Sequence, residues 1–434
     1  MAHSFFRRLF CLIALATAGC GDGGSGGSSG ELWPPPDPAY QAAREACTFA
    51  AGAGPEEALG ISASALARIP VRHVIVLMKE NRSFDHVLGK LHEQGQPLTE
   101  PIPEDFVNPT SLTHVRFVRP FRAPTTCWPT DIGHQWLSMH QQVNGGAMDG
   151  FVVSARLSAG GDGELAMSYY EREDLPFYYW LASTFALNDR HFASVRSGTF
   201  PNRNFLLLGT ADGVEETGDG FPDPNTPTLF DALDRAGVTW GVYSDGSLLS
   251  GSLGWDHTHR NTGTLTDFLD ALDGGTLPAV TFVDGIEDLE DEHPVGDMQV
   301  GEAWTRNIYE HARASRYWEE LALIWTYDEA GGFFDHVPPP EQLCIARPQD
   351  AKFHEAGVRV PMVVISPWAR PGFVSHVVEE HTAITRFIET VFGLPALTAR
   401  DANSSALLEM FDFTGPALLE APPAPEPGRG GCDR

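Results

Sequence analysis

Short apolar, β-branched runs alternate with amphipathic stretches from about residue 70 to residue 413, the pattern of a parallel sheet covered on both faces. The runs His73 to Met78, Thr239 to Tyr243, Ala279 to Val283, Leu321 to Tyr327 and Pro361 to Ser366 predict strands, and each leads toward polar or glycine-rich residues. Between them, Thr228 predicts the start of a helix with Leu229, Phe230, Leu233 and Ala236 on its buried side and Gly237 as its stop. Thr382 predicts the cap of another, with Ile384, Phe387, Ile388 and Val391 inward and Gly393 at its end. No internal repeat is visible, and one catalytic domain over residues 70–413 is expected because the candidate chemistry spans it.

Two strands end in oxygen-bearing side chains. The first runs into Lys79, Glu80, Asn81 and Arg82, and the Leu321 to Tyr327 run leads straight into Asp328 and Glu329. Open α/β sheets place their sites at the carboxyl ends of strands, and paired hard oxygen ligands there suggest a divalent cation. A third segment, Ser194 to Arg203, contains Thr199 two residues before Pro201. Proline suits a first helical turn, so Thr199 is expected at a helix N-terminus, where free N–H groups favour phosphate. Its hydroxyl either attacks phosphorus beside a cation or simply caps the helix.

The N-terminus reads as an export signal over residues 1–19, with Arg7 and Arg8, an apolar core from Leu9 to Ala16, and Thr17, Ala18 and Gly19 before Cys20. Small residues before a cysteine suggest a bacterial lipoprotein anchored through Cys20, with plain secretion as the other outcome. Residues 20–45 read as a tether, first Gly/Ser-rich and then Pro-rich, and residues 421–434 as a poorly ordered tail. Membrane association is expected only through that anchor. Removing Arg7 and Arg8 with the signal takes the net charge from −29 to −31, which argues against nucleic-acid partners and anionic lipid surfaces. Of six cysteines, Cys47, Cys127, Cys344 and Cys432 remain for structural disulfides, with pairing open.

Five blocks, KENRSFDH (79–86), TFPNR (199–203), DEHP (291–294), YDEAGGFFDHVPPP (327–340) and VPMVVISPWARPGFV (360–374), resemble one known family. It is the phosphoesterase family of phosphatidylcholine-type, non-specific phospholipases C and related acid phosphatases. The resemblance implies an alkaline-phosphatase-like α/β/α sandwich, with a mostly parallel sheet and helices on both faces. It further implies Glu80, Asn81, Asp328 and Glu329 as ligands of one divalent ion, with Ca, Mg, Mn, Zn and Fe all open. Thr199 matches the nucleophile, its oxygen also on the metal, and His134 and His293 match catalytic pocket histidines.

Asn202, His257 and His259 are the implied substrate contacts. Ser197 is a rival hydroxyl, Arg203 meets either phosphate or carboxylates, and Asp85, Asp335 and His336 belong to matching blocks as braces or more. The implied activity is hydrolysis of phosphoric esters, phospholipase C cleavage of glycerophospholipids first and acid phosphatase action on monoesters second. A catalytically silent surface lipoprotein that only binds is the reading from another class.

Overall fold

Seven-residue runs dominated by apolar residues form the two central strands, β1 (His73–Lys79) and β6 (Leu321–Tyr327), and every residue of β6 is buried. A strand dry on both sides must be covered on both sides. In this computed structural model, which describes residues 38–113, 116–246, 252–253 and 261–430, they lie at the middle of an eight-stranded sheet. Its other members are β2 (Ala186–Asn188), β3 (Trp240–Ser244), β4 (Thr262–Gly263), β5 (Val280–Asp284), β7 (Met362–Ile365) and β8 (Val374–Ser375). The spatial order is β8-β2-β7-β6-β1-β5-β3-β4.

The block β6-β1-β5-β3-β4 is parallel, and β7 alone runs against its neighbours. The expected architecture, a large and mostly parallel central sheet with helices, is therefore observed. Register matters for the site: Lys79 pairs with Tyr327, and Val76 with Phe282. The residues after β1 and β6 thus emerge side by side at the same level.

Helix α5 (Leu229–Ala236) begins as expected, with Thr228 and Asp231 exchanging side-chain bonds in a capping box, and ends at Gly237 in the left-handed region. Helix α8 (Thr382–Phe392) starts one residue earlier than expected: His381 holds the cap position, and Thr382 is already helical. The Thr382 hydroxyl instead donates to Glu380 behind it.

The expected tether also needs correction at its end, since helix α1 spans Pro38–Glu45. Arg44 donates to Ala58 O at 3.1 Å, and the adjoining Cys47 forms a disulfide with Cys344; both fasten α1 to the body. Cys127 is disulfide-bonded as well. Residues 421–430 contain no helix or strand, yet Glu426 pairs with Arg306 at 2.8 Å. All described residues belong to the unit that begins at Trp33.

Candidate active site

The site grows from the carboxyl ends of β1, β5 and β6. Asp328 bridges two of them: its Oδ1 accepts from the backbone N–H of Asn81 at 3.2 Å and of Glu329 at 2.7 Å. Asn81 takes a left-handed backbone, φ 65°, a region asparagine tolerates better than most residues. Gly331 (φ +63°) packs directly on it: an added Cβ would overlap the Asn81 carbonyl oxygen and lie 2.8 Å from its carbon. Gly332 makes the same close approach to Ile132 and Gly133, which seats the β6 loop against the segment carrying His134.

One half of the site faces His134. The Asn81 amide nitrogen lies 3.4 Å from His134 Nε2, and Glu329 Oε1 lies 3.9 Å from it. On the other side of the ring, Nδ1 donates to Ile132 O at 2.7 Å and sits 3.4 Å from Asp131. Burial works against a charge on His134, but Glu329 and Asp131 outweigh it and push its pKa up to about 10. Burial likewise pushes Glu329 up to about 8, with His134 opposing. The His293 ring stands 5.9 Å from the His134 ring, and Asp288 accepts from its Nδ1 at 2.8 Å.

The other half faces Arg203. Its guanidinium reaches Asp284 at 3.0 Å, Glu80 at 3.2 Å and Asp328 at 3.3 Å, and donates to Met78 O at 3.1 Å. Glu80 donates its backbone N–H to Asp291 O at 2.9 Å. Burial and Asp328 push the Glu80 carboxyl well up, against Arg203. Burial also raises Asp291 to about 8. The four expected oxygen ligands are thus neighbours, but Glu80 and Asp328 turn to Arg203 while Asn81 and Glu329 turn to His134.

Among the described residues, two buried oxygens here, Asn81 Oδ1 and Glu329 Oε1, have no hydrogen-bond partner, nor has Asp291 Oδ2 nearby. Buried acceptors without donors are costly in a folded protein, and a divalent cation is the partner that oxygen-only sets accept. The donor set therefore fits a metal ion. Asp131, His134 and His293 form a further group able to ligate one. Asp85, Asp335 and His336 do so on paper, but Asp85 already holds Arg359 at 2.9 Å and His336 at 2.6 Å, and Asp335 holds Arg359 at 3.2 Å. They brace two loops.

Thr199 is the first residue of helix α4 (Thr199–Leu208), as expected, and Arg203 lies one turn further on. Gly198 provides no side-chain cap, and Thr217 Oγ1 accepts the Phe200 N–H at 3.1 Å. Among the described residues the Thr199 hydroxyl has no hydrogen-bond partner. Ser197, the rival, donates its hydroxyl to Glu215 O at 2.6 Å and is fully buried.

One expectation changes, and one open alternative is resolved. Asn202 does not present a free amide to a substrate: its Nδ2 donates to Ser197 O at 2.8 Å and Gly198 O at 2.9 Å, and its Oδ1 accepts from Val195 N–H at 3.0 Å. It shapes the loop before Thr199. Arg203 meets carboxylates, not a phosphate-facing surface. His257 and His259 lie outside the described residues. Asp284 and Asp291, absent from the expected set, belong to the cluster; Asp284 was findable as the first acid after the predicted strand ending at Val283.

A family model described as "Phosphoesterase family" matches residues 71–395. The chain belongs to the phosphoesterase family. As a phosphoesterase it is a hydrolase of phosphoric esters. It is 31% identical over 385 residues to non-specific phospholipase C1 of Arabidopsis thaliana, covering 79% of this chain and 71% of that one. It is also 31% identical over 455 residues to phospholipase C B of Mycobacterium tuberculosis, covering 86% and 84%. Among solved structures, the phosphonate monoester hydrolase of Agrobacterium radiobacter superposes with a TM-score of 0.37 at 10% identity, over 75% of this phosphoesterase and 74% of that chain.

Proposed function

We propose that this phosphoesterase cleaves glycerophospholipids as a phospholipase C, with Thr199 as nucleophile and a divalent cation held by Glu80, Asn81, Asp328, Glu329 and the Thr199 oxygen. The observation that carries the reading is the Thr199 hydroxyl, unengaged among the described residues, at a helix start whose next turn, through Arg203, is tied to Glu80 and Asp328. The names of the relatives in plants and mycobacteria favour a phospholipid diester over a monoester. When bound, the cation lowers the pKa of a hydroxyl on it and offsets charge on phosphoryl oxygens.

The protein's own groups do the rest. Thr199 Oγ, its proton released to solvent, attacks phosphorus in line with the diacylglycerol oxygen, forming the O–P bond of a phospho-threonine and breaking the P–O bond to diacylglycerol. His134, held by Ile132 O and Asp131 on its Nδ1 side, turns Nε2 toward the site and donates to a phosphoryl oxygen as negative charge builds there. His293, oriented by Asp288, hands a proton to the departing alkoxide and then takes one from the water that hydrolyses the phospho-threonine. The first-turn amides of α4 add a favourable dipole.

Wild type and Thr199→Ala should be compared on para-nitrophenyl phosphorylcholine, para-nitrophenyl phosphate and phosphatidylcholine vesicles. The reading expects diester turnover by wild type and a loss of at least about a thousandfold in the variant. Turnover of the monoester alone would make the enzyme a phosphatase. No turnover of any substrate by metal-replete protein would leave a silent binder. From residues 1–20 we further propose an exported protein anchored through lipidated Cys20; Cys20→Ser should move it from the membrane fraction to the soluble one.

A further inference from the structure

Arg203 is fully buried, and so are Glu80, Asp284 and Asp328 around it, none more than 4% exposed. The three carboxylates come from the ends of three adjacent parallel strands, β1, β5 and β6. Like charges brought this close in a dry interior repel unless a cation sits among them. Here the guanidinium is that cation, and its fork gives each acid its own N–H: Nη2 to Glu80, Nη1 to Asp284 and Nε to Asp328. The remaining Nη2 donor goes to Met78 O, on β1 itself. A lysine ammonium is a single point and offers no such fork.

Arg203 also belongs to helix α4, four residues after Thr199, a spacing that puts both on one face one turn apart. We propose that Arg203 is a positioning residue that stands in for a metal ion: it holds Glu80 and Asp328 together before a cation loads and fixes the Thr199 turn beside them. The inference rests on the proposed cation site. It goes beyond that reading in giving the metal-free protein a built-in counter-charge, so that loading needs little rearrangement of the acids.

The test compares wild type, Arg203→Met and Arg203→Lys for bound Mn2+ per chain, for thermal stability with and without Mn2+, and for kcat and KM. Metal-stripped Arg203→Met should melt about 4–6 °C below metal-stripped wild type, because three buried acids lose their partner. Mn2+ should raise its melting temperature at least about twice as far as it raises that of wild type, since only the variant gains a missing counter-charge. Arg203→Lys should fall between the two and keeps the comparison readable if Arg203→Met does not fold. With saturating Mn2+, both variants should lose kcat about tenfold or more while KM stays within about threefold.

A merely structural arginine would lower stability without special rescue by Mn2+. Equal Mn2+-induced shifts in all three proteins would therefore overturn the inference while leaving the cation site standing. Wild type that binds none of Ca2+, Mg2+, Mn2+, Zn2+ or Fe2+ would remove the cation site and this inference with it.

Discussion

Gly331→Ala probes the closest approach in the site. The glycine sits at φ +63°, and a methyl group there would overlap the carbonyl oxygen of Asn81 and come within 2.9 Å of its Cβ. A left-handed non-glycine residue costs about 1–2 kcal/mol, and an extra methyl in a packed interior costs about 1–3 kcal/mol, so the expected loss is about 2–5 kcal/mol. At roughly 2.1 cal/mol/K per residue over roughly 400 residues, this lowers the melting temperature by ~2–6 °C. The strain falls on the loop whose Asn81 Oδ1 is offered to a cation, so Mn2+ affinity should drop about tenfold or more.

Differential scanning fluorimetry and equilibrium Mn2+ binding read the two effects. Gly274→Ala is the internal control: it ends a helix with nothing within 4 Å of the added methyl, and should be neutral or stabilising by up to ~1 kcal/mol. A Gly331→Ala protein with wild-type stability and wild-type Mn2+ affinity would show that the close approach of Gly331 to Asn81 carries no strain and does not set the cation site.

Asn202→Ala should destabilise the protein by about 2 kcal/mol or more, because buried carbonyls of Ser197 and Gly198 lose their donor. It should also lower kcat more than it raises KM; a rise in KM alone would restore the substrate-contact role. The Asp85–His336 pair predicts a pH-dependent stability. Burial opposes a charge on His336, but Asp85 raises its pKa above the usual 6.5, so the folded state binds that proton more tightly than the unfolded chain does. The gain is full below about pH 6.5 and is lost as pH climbs through the raised value. Asp85, depressed by His336 and Arg359 against burial, stays charged throughout that range. The melting-temperature gap between wild type and His336→Gln should accordingly shrink from pH 6 to pH 9; a gap that widens would count against the pair.

The strands were legible because a sheet buried on both faces writes unbroken apolar runs, and Glu80, Asn81, Asp328 and Glu329 stood out as the first polar residues after two of them. The short strands Ala186–Asn188 and Val374–Ser375 are too brief to show an alternation. The split of the cluster was not legible either. Whether Arg203 turns to phosphate or to carboxylates depends on how α4 docks across three strands, a long-range packing outcome that local spacing does not carry. Asn202 shows the same limit: the amide that matches a family block is consumed by the backbone four to seven residues before it.

Anomalous diffraction from crystals grown with Mn2+ locates the cation proposed beside Thr199. One strong peak is expected in direct contact with Asn81 Oδ1, Glu329 Oε1 and Thr199 Oγ1, with Glu80 and Asp328 completing the shell. A peak confined to Asp85, Asp335 and His336, or no ordered ion near Thr199 in active protein, would contradict that placement.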